Sequence, residues 1–128
     1  EFVDLRPDQP LVLDHVSKPR IGDGLMDPWK EQMFELARRE NVTCKLSGMA
    51  TEANWTEWTF DELRPYMDVA LDAFGPDRLM FGSDWPVARL AVDYEPWVNL
   101  CREFISTLSG EEREAIEGGN AIRAYGLD

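Results

Sequence analysis

The feature that most constrains this fold is an alternation, repeated three times, of a short apolar run and a longer helical pattern. The apolar runs predict strands near residues 11–14, 43–47 and 79–82. Strands that alternate with helices favour a parallel sheet with helices packed outside it. The 128 residues make one domain spanning 1–128, which is short for a (β/α)8 barrel of about 250 residues. We therefore expect an α/β architecture that forms part of a barrel.

Helix boundaries can be predicted from capping residues. Asp27-Pro28 predicts an N-cap followed by proline at the first helical position. Thr59 and Ser109 are each followed three residues later by glutamate, which predicts capping boxes. Gly118-Gly119-Asn120 predicts a break in the last helix, with the asparagine capping a final turn that reaches Tyr125.

Composition limits the partners of the chain. The net charge of −12 excludes nucleic acid and anionic membrane as primary partners, because both repel an acidic protein. No apolar run approaches the roughly 20 residues of a membrane helix, and no signal peptide is visible. Cys44 and Cys101 lack the spacing of a metal site and are expected to be buried free thiols. We expect a cytoplasmic protein, with an upstream part preceding Glu1.

Each predicted strand ends at a polar residue. The first ends at Asp14-His15, the second at Lys45 and Ser47-Gly48, and the third at Ser83-Asp84; His15, Ser47 and Asp84 are the candidate site residues among them. The carboxyl ends of parallel strands share one edge of the sheet, where α/β enzymes carry out their chemistry, so these side chains should converge. His15 can exchange a proton or bind a metal, and Asp84 can bind a divalent metal or take a proton from water. Two such residues are too few for a closed metal site, so further ligands must come from outside this chain.

The loop after the third strand carries two candidate substrate-binding residues, Trp85 and Arg89, and Ser47 is a third. Trp85 could shape a substrate pocket, and Arg89 could bind a carboxylate or a sugar oxygen. Ordinary loop packing and a hydrated arginine explain the loop residues equally well.

Four motifs in this order resemble the C-terminal part of the amidohydrolase-related enzymes, and within them the sugar lactonases. The motifs are Val12–Pro19, Cys44–Gly48, Phe81–Pro86 and Gly119–Gly126. The resemblance implies that the three strands are the sixth, seventh and eighth of a (β/α)8 barrel. Residues 1–6 would then be the tail of the fifth helix.

The resemblance also implies roles for two residues. His15 matches the sixth-strand histidine, which contacts the substrate or the hydrolytic water. Asp84 matches the eighth-strand aspartate, which activates water and is a metal ligand in many members. The family's first-strand histidine pair and fifth-strand histidine have no counterpart, because His15 is the only histidine. A zinc-like divalent metal is therefore implied for the family, while its presence in this chain stays open.

These observations lead to two alternative functions, one enzymatic and one non-catalytic. The first is the C-terminal fragment of a hydrolase that opens a sugar lactone or a similar small carbonyl compound with an activated water. In that case its partners are a small-molecule substrate and the missing N-terminal half-barrel. The alternative is a non-catalytic half-barrel module that pairs with itself or with a partner chain, because open sheet edges recruit other strands.

Overall fold

The computed structural model describes residues 2–127, which contain a three-stranded parallel sheet. The strands are β1 (Leu11–Leu13), β2 (Val42–Leu46) and β3 (Leu79–Phe81), and they lie side by side in that order. Both pairings are parallel. The sequence prediction of three adjacent parallel strands is therefore confirmed.

The sheet has one face covered by helices. Val42, Cys44 and Leu46 of β2 are buried in the main hydrophobic core, whereas the residues between them are only partly buried. Successive side chains of a strand point to opposite faces, so Thr43 and Lys45 lie on the face turned away from this core. Lys45 lies on this second face, and His15, Ser47 and Asp84 lie just beyond the strand ends.

Helices follow each strand, as the periodicity predicted. They are α1 (Trp29–Ala37), α2 (Phe60–Phe74), α3 (Tyr94–Phe104), α4 (Gly110–Glu114) and α5 (Asn120–Tyr125). Short 3-10 turns connect the elements at Val3–Leu5, Asp14–Ser17, Ile21–Asp23, Ala50–Glu52, Pro76–Arg78 and Val87–Leu90. Residues 1–6 were expected to be the tail of a helix. Residue 1 lies outside the described part, and residues 2–6 contain only the 3-10 turn Val3–Leu5.

The capping predictions are confirmed at two helices and wrong at a third. Thr59 and Ser109 each form a complete capping box with the glutamate three residues later. Asp27, in contrast, does not cap α1. Pro28 occupies the N-cap position with ψ near 2°, so the helix begins one residue later, at Trp29, without a side-chain cap.

The predicted break at Gly118-Gly119-Asn120 is also wrong. The chain widens into a π-helical turn over Ala115–Gly119 and continues directly into α5. Asn120 has helical dihedral angles and is buried, so it caps nothing. Its Nδ2 donates hydrogen bonds to the carbonyl oxygens of Pro76 and Leu79, each at 2.6 Å. Satisfying these two carbonyls, one in the turn before β3 and one on its first residue, outweighs the local tendency of the glycines to end a helix.

Within residues 2–127, no helix combines the length and the apolarity that crossing a membrane requires. Cys44 and Cys101 are both free and buried, as expected.

Candidate active site

Three polar side chains meet at the carboxyl end of the sheet. The Nδ1 of His15 lies 2.7 Å from the Oγ of Ser47, and its Nε2 lies 3.5 Å from Oδ1 of Asp84. These residues follow β1, β2 and β3 respectively. The structure therefore brings together the three strand-end residues that the sequence placed at one edge, although their roles in catalysis stay predictions.

The backbone that carries His15 is strained. Residues 15–18 have φ values of 50°, 44°, 60° and 52°, and none of them is glycine. The left-handed conformation costs an ordinary residue roughly 1–2 kcal/mol, so packing must hold the segment in place. Val16 is fully buried, and its carbonyl oxygen accepts a 2.7 Å hydrogen bond from Nε1 of Trp29. Asp84 has a φ of 55°, so both candidate catalytic residues lie in strained backbone, which is common at functional sites.

Glycine at position 48 makes room for the imidazole of His15. A Cβ at Gly48 would lie 2.9 Å from Cβ, Cγ and Nδ1 of His15, closer than such atoms can approach. Gly48 also has a φ of +65°, which a residue with a Cβ rarely adopts. Ser47 and Gly48 together therefore fix one side of the His15 ring.

The carboxylate of Asp84 is nearly enclosed, with its side chain 9% exposed. Its Oδ1 faces His15, but its Oδ2 has no hydrogen-bond partner, alone among the buried side-chain nitrogens and oxygens of residues 2–127. An unsatisfied buried acceptor costs roughly 1–3 kcal/mol, and a charged one costs more. An oxygen left in this state at a strand end is suited to a ligand, a water or a metal ion.

Asp14 and Lys45 were expected at the strand ends, but the sequence did not show that they form a pair beside His15. The Nζ of Lys45 lies 2.8 Å from Oδ1 of Asp14, and Oδ2 of Asp14 lies 3.1 Å from Nε2 of His15. The hydrogen bond from Lys45 is the main reason that the pKa of Asp14 is lowered. Burial lowers the pKa of Lys45, but its interactions with Asp14 and Tyr125 outweigh that effect and raise it. Opposite charges at matching ends of neighbouring strands were the signal that could have revealed the pair.

The predicted substrate-binding residues of the third loop lie farther out. Trp85 is 64% exposed, and its backbone N–H donates to Oγ of Ser83 at 3.2 Å. The Nε of Arg89 lies 3.6 Å from Oδ1 of Asp93, and both side chains are mostly exposed. Neither is held against His15 by a contact in the described structure, and their roles in substrate binding stay predictions.

The described residues supply only some of the ligands that a metal site needs. Asp84 offers an unpaired carboxylate oxygen, a ligand that zinc accepts. Residues 2–127 contain no group of three or more histidine, cysteine or acidic side chains arranged to hold an ion. The residues present fit one side of a metal site, and at least two more ligands would have to come from elsewhere.

Comparison with known proteins places this geometry in a family. The family model described as "Amidohydrolase" matches residues 1–127. The chain belongs to the amidohydrolase family. An L-fucono-1,5-lactonase of Burkholderia multivorans is 44% identical over an alignment of 127 positions, which covers 91% of this chain and 43% of that protein. An L-rhamnono-gamma-lactonase of Scheffersomyces stipitis is 25% identical over a gapped alignment of 143 positions, which covers 94% of this chain and 42% of that protein.

A solved structure agrees with this amidohydrolase over nearly the whole chain. It is an amidohydrolase from Burkholderia multivorans with bound Zn, which superimposes with a TM-score of 0.95 at 42% identity. The match covers 99% of this chain and 47% of that one. The chain thus has the fold of the C-terminal portion of a TIM barrel, and it spans less than half the length of the curated relatives it matches. These enzyme relatives do not favour the alternative of a non-catalytic module.

Proposed function

We propose that residues 1–128 form the C-terminal half of a lactone hydrolase, which opens a sugar lactone or a similar small carbonyl compound. The main support for this proposal is the nearly enclosed carboxylate of Asp84. Its Oδ1 lies 3.5 Å from Nε2 of His15, and its Oδ2 has no hydrogen-bond partner. The names of the lactonase relatives support the substrate class. The rest of the barrel would supply the remaining ligands and most of the substrate pocket.

In the proposed reaction, Asp84 takes a proton from a water molecule held beside its carboxylate. The water oxygen then forms a bond to the lactone carbonyl carbon. The ring C–O bond breaks, and the ring oxygen receives the proton that Asp84 took from the water, which yields a hydroxy acid and restores the carboxylate. His15 lies next to Asp84 and would orient the substrate carbonyl.

Asp84 would also contribute one ligand to a divalent metal in the complete barrel. A bound zinc ion supplies positive charge that polarises a carbonyl and lowers the pKa of a bound water. Asp84 itself holds the proton that the water loses, and its enclosure keeps the carboxylate oriented.

The test is Asp84→Asn in the full-length protein, assayed on a panel of aldonolactones with and without added Zn²⁺. A carboxamide cannot accept the proton and is a poorer ligand for a hard cation, so kcat should fall on the order of a hundredfold or more. Asp72→Asn is the matched control, because it makes the same change on an exposed part of α2. Turnover close to that of the wild type in Asp84→Asn would remove Asp84 from the mechanism. A wild-type protein that opens no lactone would refute the function itself.

A further inference from the structure

A chain of charged contacts leads from the middle of the sheet to His15. The register pairs Leu13 with Cys44, so Asp14, which follows, lies beside Lys45. The Nζ of Lys45 lies 2.8 Å from one oxygen of Asp14, and the other oxygen lies 3.1 Å from Nε2 of His15. One carboxylate therefore joins the lysine to the imidazole.

The Lys45 side chain has a defined path to this carboxylate. A Cβ at Gly82 would lie 2.8 Å from Cγ and Cδ of Lys45, so the aliphatic stem runs directly over the glycine. The Nζ then lies 5.9 Å from the centre of the Tyr125 ring, within the range of a cation–π contact. The ammonium is therefore held by Asp14, which directly follows β1, and by Tyr125 on α5, while the missing side chain at Gly82 leaves space for the stem.

The ion pair between Lys45 and Asp14 contributes little to the stability of the described chain. The side chain of Asp14 is 56% exposed and that of Lys45 is 25% exposed. Ion pairs this accessible add little to stability because water screens them. A purely structural role therefore predicts that removing the pair has a small effect on the protein.

The contacts of the His15 ring give the pair a different consequence. Its Nε2 faces the carboxylates of Asp14 and Asp84, which can only accept hydrogen bonds when ionised. A neutral His15 with its proton on Nε2 can donate to these carboxylates, and its Nδ1 can then accept from the hydroxyl of fully buried Ser47, 2.7 Å away. Asp14 and Asp84 at one nitrogen and Ser47 at the other thus favour this tautomer and orient the ring, and Asp14 is the nearer of the two carboxylates.

We propose that Lys45 and Asp14 are positioning residues for His15: Lys45 holds Asp14, and Asp14 fixes the orientation and the Nε2–H tautomer of the imidazole. Neither residue touches the substrate in this proposal. The effect on activity rests on the proposed lactone hydrolysis, whereas the effect on the imidazole does not. Supporting residues that orient a site histidine typically contribute ten- to a hundredfold in activity.

The kinetic test compares Lys45→Met, Asp14→Asn and the double variant in the full-length protein. We expect each single variant to lower kcat on the order of ten- to a hundredfold with KM nearly unchanged, and Lys45→Arg to recover most of the loss. The double variant should be no worse than the single ones, because the two residues act as one unit. Arg102→Met is the control, because it breaks an ion pair with Glu117 away from this site. Losses that multiply in the double variant, or a rise in KM alone, would overturn the proposal.

A second measurement keeps the proposal testable if no lactone is turned over. Long-range ¹H–¹⁵N NMR spectra of the full-length protein, labelled at histidine, report the tautomer of His15, and a His15→Gln variant assigns the signal. We expect the Nε2–H tautomer in the wild type and in Arg102→Met, and a mixture in Lys45→Met and Asp14→Asn. An unchanged tautomer in both site variants refutes the positioning role, whatever the activity assay shows.

Discussion

Gly48→Ala is the substitution that most directly tests how tightly the site is built. The new methyl group meets two separate penalties: a φ of +65°, and the His15 ring at 2.9 Å. The left-handed backbone costs alanine roughly 1–2 kcal/mol, of which about 0.4–1 kcal/mol is offset by the lower entropy of the unfolded chain. Overpacking against the ring adds about 1–3 kcal/mol.

The chain offers a control that separates these two penalties. Gly24 has a φ of +64°, and a Cβ there would meet no atom within 4 Å. Gly24→Ala therefore carries the backbone penalty alone, and we expect it to lower the free energy of unfolding by about 1 kcal/mol. Gly48→Ala should cost about 1–3 kcal/mol more than this control.

The assay is urea denaturation of both variants of the full-length protein, together with their turnover on the best lactone. Because the methyl group displaces the His15 ring, Gly48→Ala should also lower kcat on the order of ten- to a hundredfold. Gly24→Ala should keep wild-type turnover. Equal stability and equal turnover of the two variants would show that Gly48 does not hold the ring, and the argument from close approach would fail.

Three further predictions concern the scaffold. Burial raises the pKa of Cys44 to about 12 and raises that of Cys101 as well, so at pH 8 neither thiol should react with Ellman's reagent until the protein is unfolded. Asn120→Ala should lower the free energy of unfolding by about 2–3 kcal/mol, because it leaves two carbonyls unpaired. Asn41→Ala removes a comparable pair of bonds, to the carbonyls of Arg6 and Gln9 at an exposed site, and should cost less than about 1 kcal/mol. Thr59→Ala should cost about 1 kcal/mol by thermal or urea denaturation, through loss of the capping box.

The parts of the fold that depend on neighbours in sequence could be predicted from the sequence. The capping boxes at Thr59 and Ser109 need only a hydroxyl and a glutamate three residues apart, and both are present in the structure. The convergence of His15, Ser47 and Asp84 could also be predicted, because the carboxyl ends of parallel strands share one edge. The order of strands and helices, which the periodicity of apolar residues indicates, is enough to predict that these side chains meet.

Local rules failed where a distant contact was worth more than the local preference. Gly118-Gly119 has the composition of a helix break, yet the helix continues through a π turn. The buried Asn120 gains two hydrogen bonds to carbonyls more than 40 residues away, and no sequence pattern reports that gain.

The sequence by itself determined which residues lie at the strand ends, but only the tertiary structure decided which of them touch. Lys45 meets Asp14 because the register of β1 on β2 places them side by side. The His15 ring lies against Gly48, at the end of the neighbouring strand, and residues 15–18, which carry the ring, all have left-handed backbone. Register and close approach are set by the packing of the whole sheet and its helices, so they follow from the three-dimensional structure and not from residue spacing.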